Sequence, residues 1–91
     1  MAKKGYAYFD KYGTLHVTES KKTAHEYGEG RYIEVELNYE GGYPKTDKGE
    51  NILVYDYGKE IRIGNRKNEN SRIVDPSEVP HIAEIIQKLT K

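Results

Sequence analysis

Hydrophobic and polar positions alternate most cleanly from Arg31 to Tyr39, where Ile33, Val35, Leu37 and Tyr39 fall on one face and Tyr32, Glu34, Glu36 and Asn38 on the other. That two-residue period predicts a strand with one face on a core. Upstream, Tyr6 to Asp10 and Thr14 to Thr18 are rich in aromatic and β-branched residues and flank Lys11-Tyr12-Gly13, where Gly13 can take a positive φ; they predict a hairpin. Ser20 can cap a short helix through Lys21, Ala24 and Tyr27, with Gly28 placed as its left-handed stop. Asn51 to Tyr57 and Lys59 to Gly64 predict a second hairpin around Gly58. Its first strand is apolar on both faces through Ile52, Leu53, Val54 and Tyr55, which predicts a central strand. Arg72-Ile73-Val74 can add a short strand or a packing contact. Val79, Ile82, Ile85, Ile86 and Leu89 then recur at three- and four-residue spacings, after Asp75-Pro76, a capping Ser77 and Pro80 in the first turn. This is an amphipathic terminal helix made to lie on a sheet.

Phe9, Leu15, Val17, Ile33, Val35, Leu37, Ile61 and Ile63 would form one layer under that helix. The expected architecture is α+β: an antiparallel sheet of about five strands, two hairpins and a central strand, packed against one C-terminal helix, with a short helix near residues 20–27. The opposite face would carry Tyr6, Tyr8 and Tyr32, with Tyr55 and Tyr57 beside them, unless the sheet curls into a barrel and turns them inward. Two segments lack periodicity. Glu40 to Glu50, with Gly41-Gly42, Pro44 and Asp47-Lys48-Gly49, reads as a long loop, a place for function or disorder; Gly64 to Ser71 is polar and asparagine-rich.

Ninety-one residues with no dividing linker predict one domain. Nine tyrosines, one phenylalanine and no tryptophan mean that tyrosine must supply part of so small a core. Fifteen basic residues cancel fifteen acidic ones, so any anionic partner needs a local patch. The acids gather between Glu19 and Glu40, the bases between Lys59 and Arg72. The absence of cysteine removes disulfides, thiolate chemistry and zinc sites built on Cys. No apolar run resembles a signal peptide or a membrane span, which points to the cytosol and to no membrane partner.

Lys4-Gly5-Tyr6-Ala7-Tyr8-Phe9 joins a basic residue, a glycine and alternating aromatics on a strand, the makings of a stacking platform for single-stranded bases. Over these six residues the string resembles the first part of the RNA-recognition-motif signature and is similar to the Lys-Gly-aromatic-Gly-Phe string of cold-shock domains. The resemblance implies nucleic-acid contacts from Lys4, Tyr6 and Tyr8, to which Lys59, Arg62, Arg66, Lys67 and Arg72 would add phosphate contacts. The other reading of the tyrosines is a surface for another protein, built from Tyr6, Tyr8, Tyr32, Tyr43, Tyr55 and Tyr57.

His16, His25 and His81 lie on different elements without metal-ligand spacing, and all three read as surface residues; no metal or cofactor is expected. Ser20, Ser71 and Ser77 sit in capping or loop contexts rather than a nucleophile elbow. Asp47-Lys48-Gly49-Glu50-Asn51 and Gly28-Glu29-Gly30 fall short of a calcium loop and a dinucleotide site. Asp56, in an apolar strand, would point to solvent near Gly58 or pair with Lys59 or Arg62, a structural salt bridge rather than a catalytic acid. The expectation is therefore a non-enzymatic binding or adaptor module that engages a protein through a tyrosine-rich face or the 40–50 loop, with single-stranded nucleic-acid binding as the alternative.

Overall fold

A computed structural model describes residues 3–37, 42–46, 48–64 and 71–90 of the chain. Expectations that fall on Asn38, Tyr39, Glu40, Gly41, Asp47 and residues 65–70, Arg66 and Lys67 among them, lie outside the described residues. The architecture is α+β, as the periodicity predicts, and the first hairpin pairs β1 (Lys3–Phe9) with β2 (Leu15–Thr18) around Gly13 at φ 82°. The alternating strand is β3 (Ile33–Leu37), antiparallel to β1 on its other side. β4 (Asn51–Tyr55) and β5 (Glu60–Gly64) form the second hairpin, and β6 (Arg72–Ile73) adds a short third strand.

The expected single sheet is in fact two, each of three strands, in the orders β2-β1-β3 and β4-β5-β6. The cause is lateral. Gly42 exchanges both backbone hydrogen bonds with Val17 (2.7 and 2.6 Å), so the outer edge of β2 is taken by a connecting segment before a fourth strand can join. The segment then runs along β4, where the Pro44 carbonyl accepts from the Ile52 N–H and Lys45 bridges Asn51. β4 is accordingly flanked by β5 and by this segment rather than by two strands, and Ile52, Leu53 and Val54 are all buried.

Ala7, Leu15, Val17 and Leu37 from one sheet and Ile52, Val54, Ile61 and Ile63 from the other join a single core with Val79, Ile82 and Leu89. The terminal helix thus shares the covering of the first sheet with the second sheet. This helix, α2 (Pro80–Thr90), buries the stripe its periodicity predicts and packs on β1 and β3. Its entry differs from expectation. Asp75, not Ser77, caps a one-turn 3-10 helix (Pro76–Glu78), with the Asp75 N–H bonded to the Glu78 carboxylate in a capping box. A carboxylate at the start of the turn also meets the positive end of its peptide dipoles.

The short helix α1 (Lys21–Tyr27) begins where expected: the Thr23 N–H donates to the Ser20 hydroxyl at 3.2 Å. Ser20→Ala is expected to cost about 1 kcal/mol, the usual worth of an N-cap, read as a lower midpoint in a denaturant titration. The end of α1 is a correction. Gly28 is at φ −88°, and the left-handed residues follow it at Glu29 (φ 53°) and Gly30 (φ 82°). Gly28 is glycine for want of space, because a Cβ there would meet the Ala24 and Arg31 carbonyls and the Tyr8 Cβ. α1 is thereby laid on the Tyr8 face of the first sheet.

Candidate functional site

The tip of the first hairpin is organised by one carboxylate. Asp10 Oδ1 accepts the N–H groups of Tyr12 (2.8 Å) and Thr14 (3.0 Å), and Oδ2 lies 2.7 Å from His16 Nε2. An ionised carboxylate only accepts, so Nε2 is the donor. Burial pushes the Asp10 carboxyl up, but the hydrogen bonds from Thr14, His16 and Tyr12 outweigh it and hold the group below its ordinary value. His16 is half-buried rather than exposed. Its ring stacks between Tyr8 (5.5 Å) and Tyr43 (5.4 Å), because the Gly42–Val17 pairing lays Tyr43 over β2.

Beside this tip a cleft of about 580 Å³ opens between four elements. Phe9, Asp10 and Lys11 come from the hairpin, Tyr27, Glu29 and Arg31 from the exit of α1, Tyr57 from the turn after β4, and Leu89 and Thr90 from the end of α2. Tyr57 packs its ring on Phe9 at 5.4 Å and donates its N–H to the Gly13 carbonyl at 2.9 Å, so the two hairpin tips are joined. Arg31 Nη2 donates to the Leu89 carbonyl at 3.2 Å, satisfying one of the carbonyls that a helix C-terminus leaves without an intrahelical partner. Non-glycine residues with left-handed backbone occur at Glu29, Asp56 (φ 54°) and Tyr57 (φ 57°), and two of these three line the cleft.

The tyrosines expected to share an open face are divided. Tyr8 is only 8% exposed beneath the exit of α1, and its hydroxyl is pushed up by burial and then by the charges of Asp10 and Tyr27. That burial removes the ring from the stacking platform expected of the Lys4–Phe9 string. Tyr6 and Tyr32 are half-buried edge-to-face at 5.6 Å, with His25 against Tyr32. Tyr55 is half-buried, its hydroxyl raised by burial and then by Tyr43 and Glu60 against the pull of Arg62. Tyr43 and Tyr57 are exposed, and so are Tyr12 and Tyr27, which the sequence pattern did not single out.

The cations of the alternative reading are largely met by acids. Lys4 pairs with Glu34 at 3.4 Å, Arg62 Nε with Glu60 at 2.7 Å, and Arg72 with Glu78 at 3.5 Å, while Lys59 is exposed. Of the two places expected for Asp56, the structure shows the solvent one: it is exposed in the turn Asp56–Gly58, the Arg62 guanidinium faces Glu60, and Asp56 meets Lys59 only through its backbone carbonyl, which accepts the Lys59 N–H at 3.2 Å. Among the described residues no group of three or more acids and histidines could hold a metal ion, and no helix is long and apolar enough to cross a membrane.

Tyr27, Glu29 and Arg31 carry no sequence signal for the cleft, since only the turn of the chain after Gly28 brings them to the hairpin. The Asp10–His16 contact does carry one: Tyr8 pairs with His16 in register, and Asp10, two residues on, shares their face. Compared with known protein families, curated proteins and solved structures, the chain finds no match.

Proposed function

We propose that the chain is a non-enzymatic protein-binding module whose partner inserts side chains into the cleft between the first hairpin tip and the ends of α1 and α2. The observation that carries this reading is the wall of the cleft. Phe9, Tyr27 and Tyr57 line it, and Tyr27 and Tyr57 remain 59% and 51% exposed although rigid aromatic area of this kind is what interfaces use as anchors. The backbone supports it further. A non-glycine residue in the left-handed region costs about 1 kcal/mol or more, and such strain collects where function needs a fixed geometry; Glu29 and Tyr57 both carry it on this cleft. Two polar groups of the cleft are engaged structurally: both Asp10 oxygens hold the hairpin, and the Thr90 hydroxyl donates to the Ile86 carbonyl.

Tyr57→Gly is the sharp test, because glycine accepts the positive φ and only the ring is lost. Tyr27→Ala is its companion on an exposed helix end. In affinity capture with the full chain as bait, both variants should keep the wild-type circular dichroism spectrum and recover at least about tenfold less of the protein that wild type retains. Undiminished recovery would remove the cleft from the reading. An oligonucleotide titration serves the alternative: shifts at Tyr6–Phe9 and Lys59–Arg72 that fade steeply with salt would put single-stranded nucleic acid in place of a protein partner.

A further inference from the structure

The register of the first sheet decides which backbone groups of β3 look outward. Asp10 N–H donates to the Thr14 carbonyl, so in β1 residues 6, 8 and 10 direct their backbone groups to β2, and residues 3, 5, 7 and 9 direct theirs to β3. The Val17–Gly42 bonds agree, since Val17 faces away from β1. Across the β1–β3 ladder Gly5 pairs with Val35 and Ala7 with Ile33, so Ile33, Val35 and Leu37 bond to β1. The N–H and C=O of Glu34 and of Glu36 therefore point to the open side, where no second strand of the described residues meets them.

That side has both charge and apolar character. Glu34 and Glu36 are exposed, Ile33 and Val35 are half-buried, and a shallow groove runs past Lys3, Lys4, Glu34, Val35 and Glu36, with Lys3 paired to Glu19 at 3.2 Å. Lys4 engages Glu34, and among the described residues no cation stands within ion-pair distance of Glu36. A second copy of the chain fits this edge poorly. Antiparallel self-pairing that keeps Val35 on the apolar face puts Glu34 opposite Glu36, or one of them opposite itself, and like charges directly opposite are unfavourable.

We propose that the edge of β3 accepts an extended segment of another protein in which Lys or Arg alternates with β-branched residues. The added strand takes the backbone groups of Glu34 and Glu36, sets its cations against their carboxylates and lays an apolar side chain beside Val35. This surface is separate from the cleft, so neither proposal depends on the other.

The probe is a capped peptide, Lys-Thr-Lys-Val-Lys-Thr-Lys, titrated into the isotope-labelled full chain, with Glu-Thr-Glu-Val-Glu-Thr-Glu as its counterpart. The basic peptide is expected to shift the Glu34 and Glu36 amides and slow their hydrogen exchange, leaving the cleft amides unmoved; the acidic peptide should do neither. Glu36→Pro removes an outward N–H without taking a bond from the β1–β3 ladder, and should abolish the effect. Should that variant fail to fold, Glu34→Lys with Glu36→Lys leaves the backbone intact and should transfer the preference to the acidic peptide. Equal binding of both peptides, unchanged binding by Glu36→Pro, or a concentration-dependent dimer that protects Glu34 and Glu36 without peptide would overturn the proposal.

Discussion

Gly58→Ala is expected to lower the stability of the chain by about 3 kcal/mol, the sum of a left-handed backbone penalty and an overpacking penalty. Gly58 sits at φ 99° in the turn between β4 and β5, and a Cβ there would overlap the side chain of Ile86 on α2. Ile86 is half-buried against the core and can yield only by turning about a χ1 that its branched Cβ confines. For a domain of this size such a loss amounts to a fall in Tm of about 15 °C. The two causes can be separated. Ile86→Ala removes the overlap but not the φ penalty, so in the Gly58→Ala background it should cost about 1–2 kcal/mol less than in wild type. Strict additivity of the two changes in denaturant titrations would show that the close approach to α2 is not where the energy goes.

The same turn shows where the physics of the sequence reaches and where it stops. A glycine between two strand patterns announces a turn, and the alternation of Ile61 and Ile63 says that they share a face with one another. Neither feature contains the lateral order of strands. Whether β2 has β4 or a connecting segment as its neighbour depends on the backbone of Gly42, which carries no side-chain signature, and so a single sheet was expected where there are two. The terminal helix was legible because a period of 3.6 residues needs no knowledge of its partner. Ser20 was legible as a cap for the same local reason, whereas Asp75 won over Ser77 because the chain enters through a 3-10 turn whose Glu78 carboxylate reaches back to the Asp75 N–H. The cleft lies at the other extreme. It draws residues from positions 9 to 90, and its strained members, Glu29 and Tyr57, look like ordinary surface residues until their φ values are known. Tyrosine abundance pointed to recognition, but which rings are covered follows from the exit of α1 over Tyr8, a consequence of close approach at Gly28.

Asp10 offers the largest effect of a single charged group. Asp10→Ala leaves the N–H groups of Tyr12 and Thr14 and the His16 Nε2 without their acceptor, and hydrogen bonds to a charged group are worth about 1.5–3 kcal/mol each, less when they share one acceptor. A loss of about 3 kcal/mol at neutral pH is expected. Asp10→Asn keeps an oxygen for the two backbone donors and should cost about 1 kcal/mol, because what it removes is the charge. Since the folded protein holds the Asp10 carboxyl below its ordinary value of about 3.9, the stability it contributes is fully present above that value and is lost as pH falls through the lower, folded value. The advantage of wild type over Asp10→Asn should therefore be constant near neutrality and shrink progressively below about pH 4. Denaturant midpoints of the two proteins measured from pH 7 down to about pH 2 provide the check. Parallel acid limbs, with the gap unchanged, would mean that the carboxylate charge does not hold the hairpin tip, and that the backbone turn alone sets the geometry of the cleft beside it.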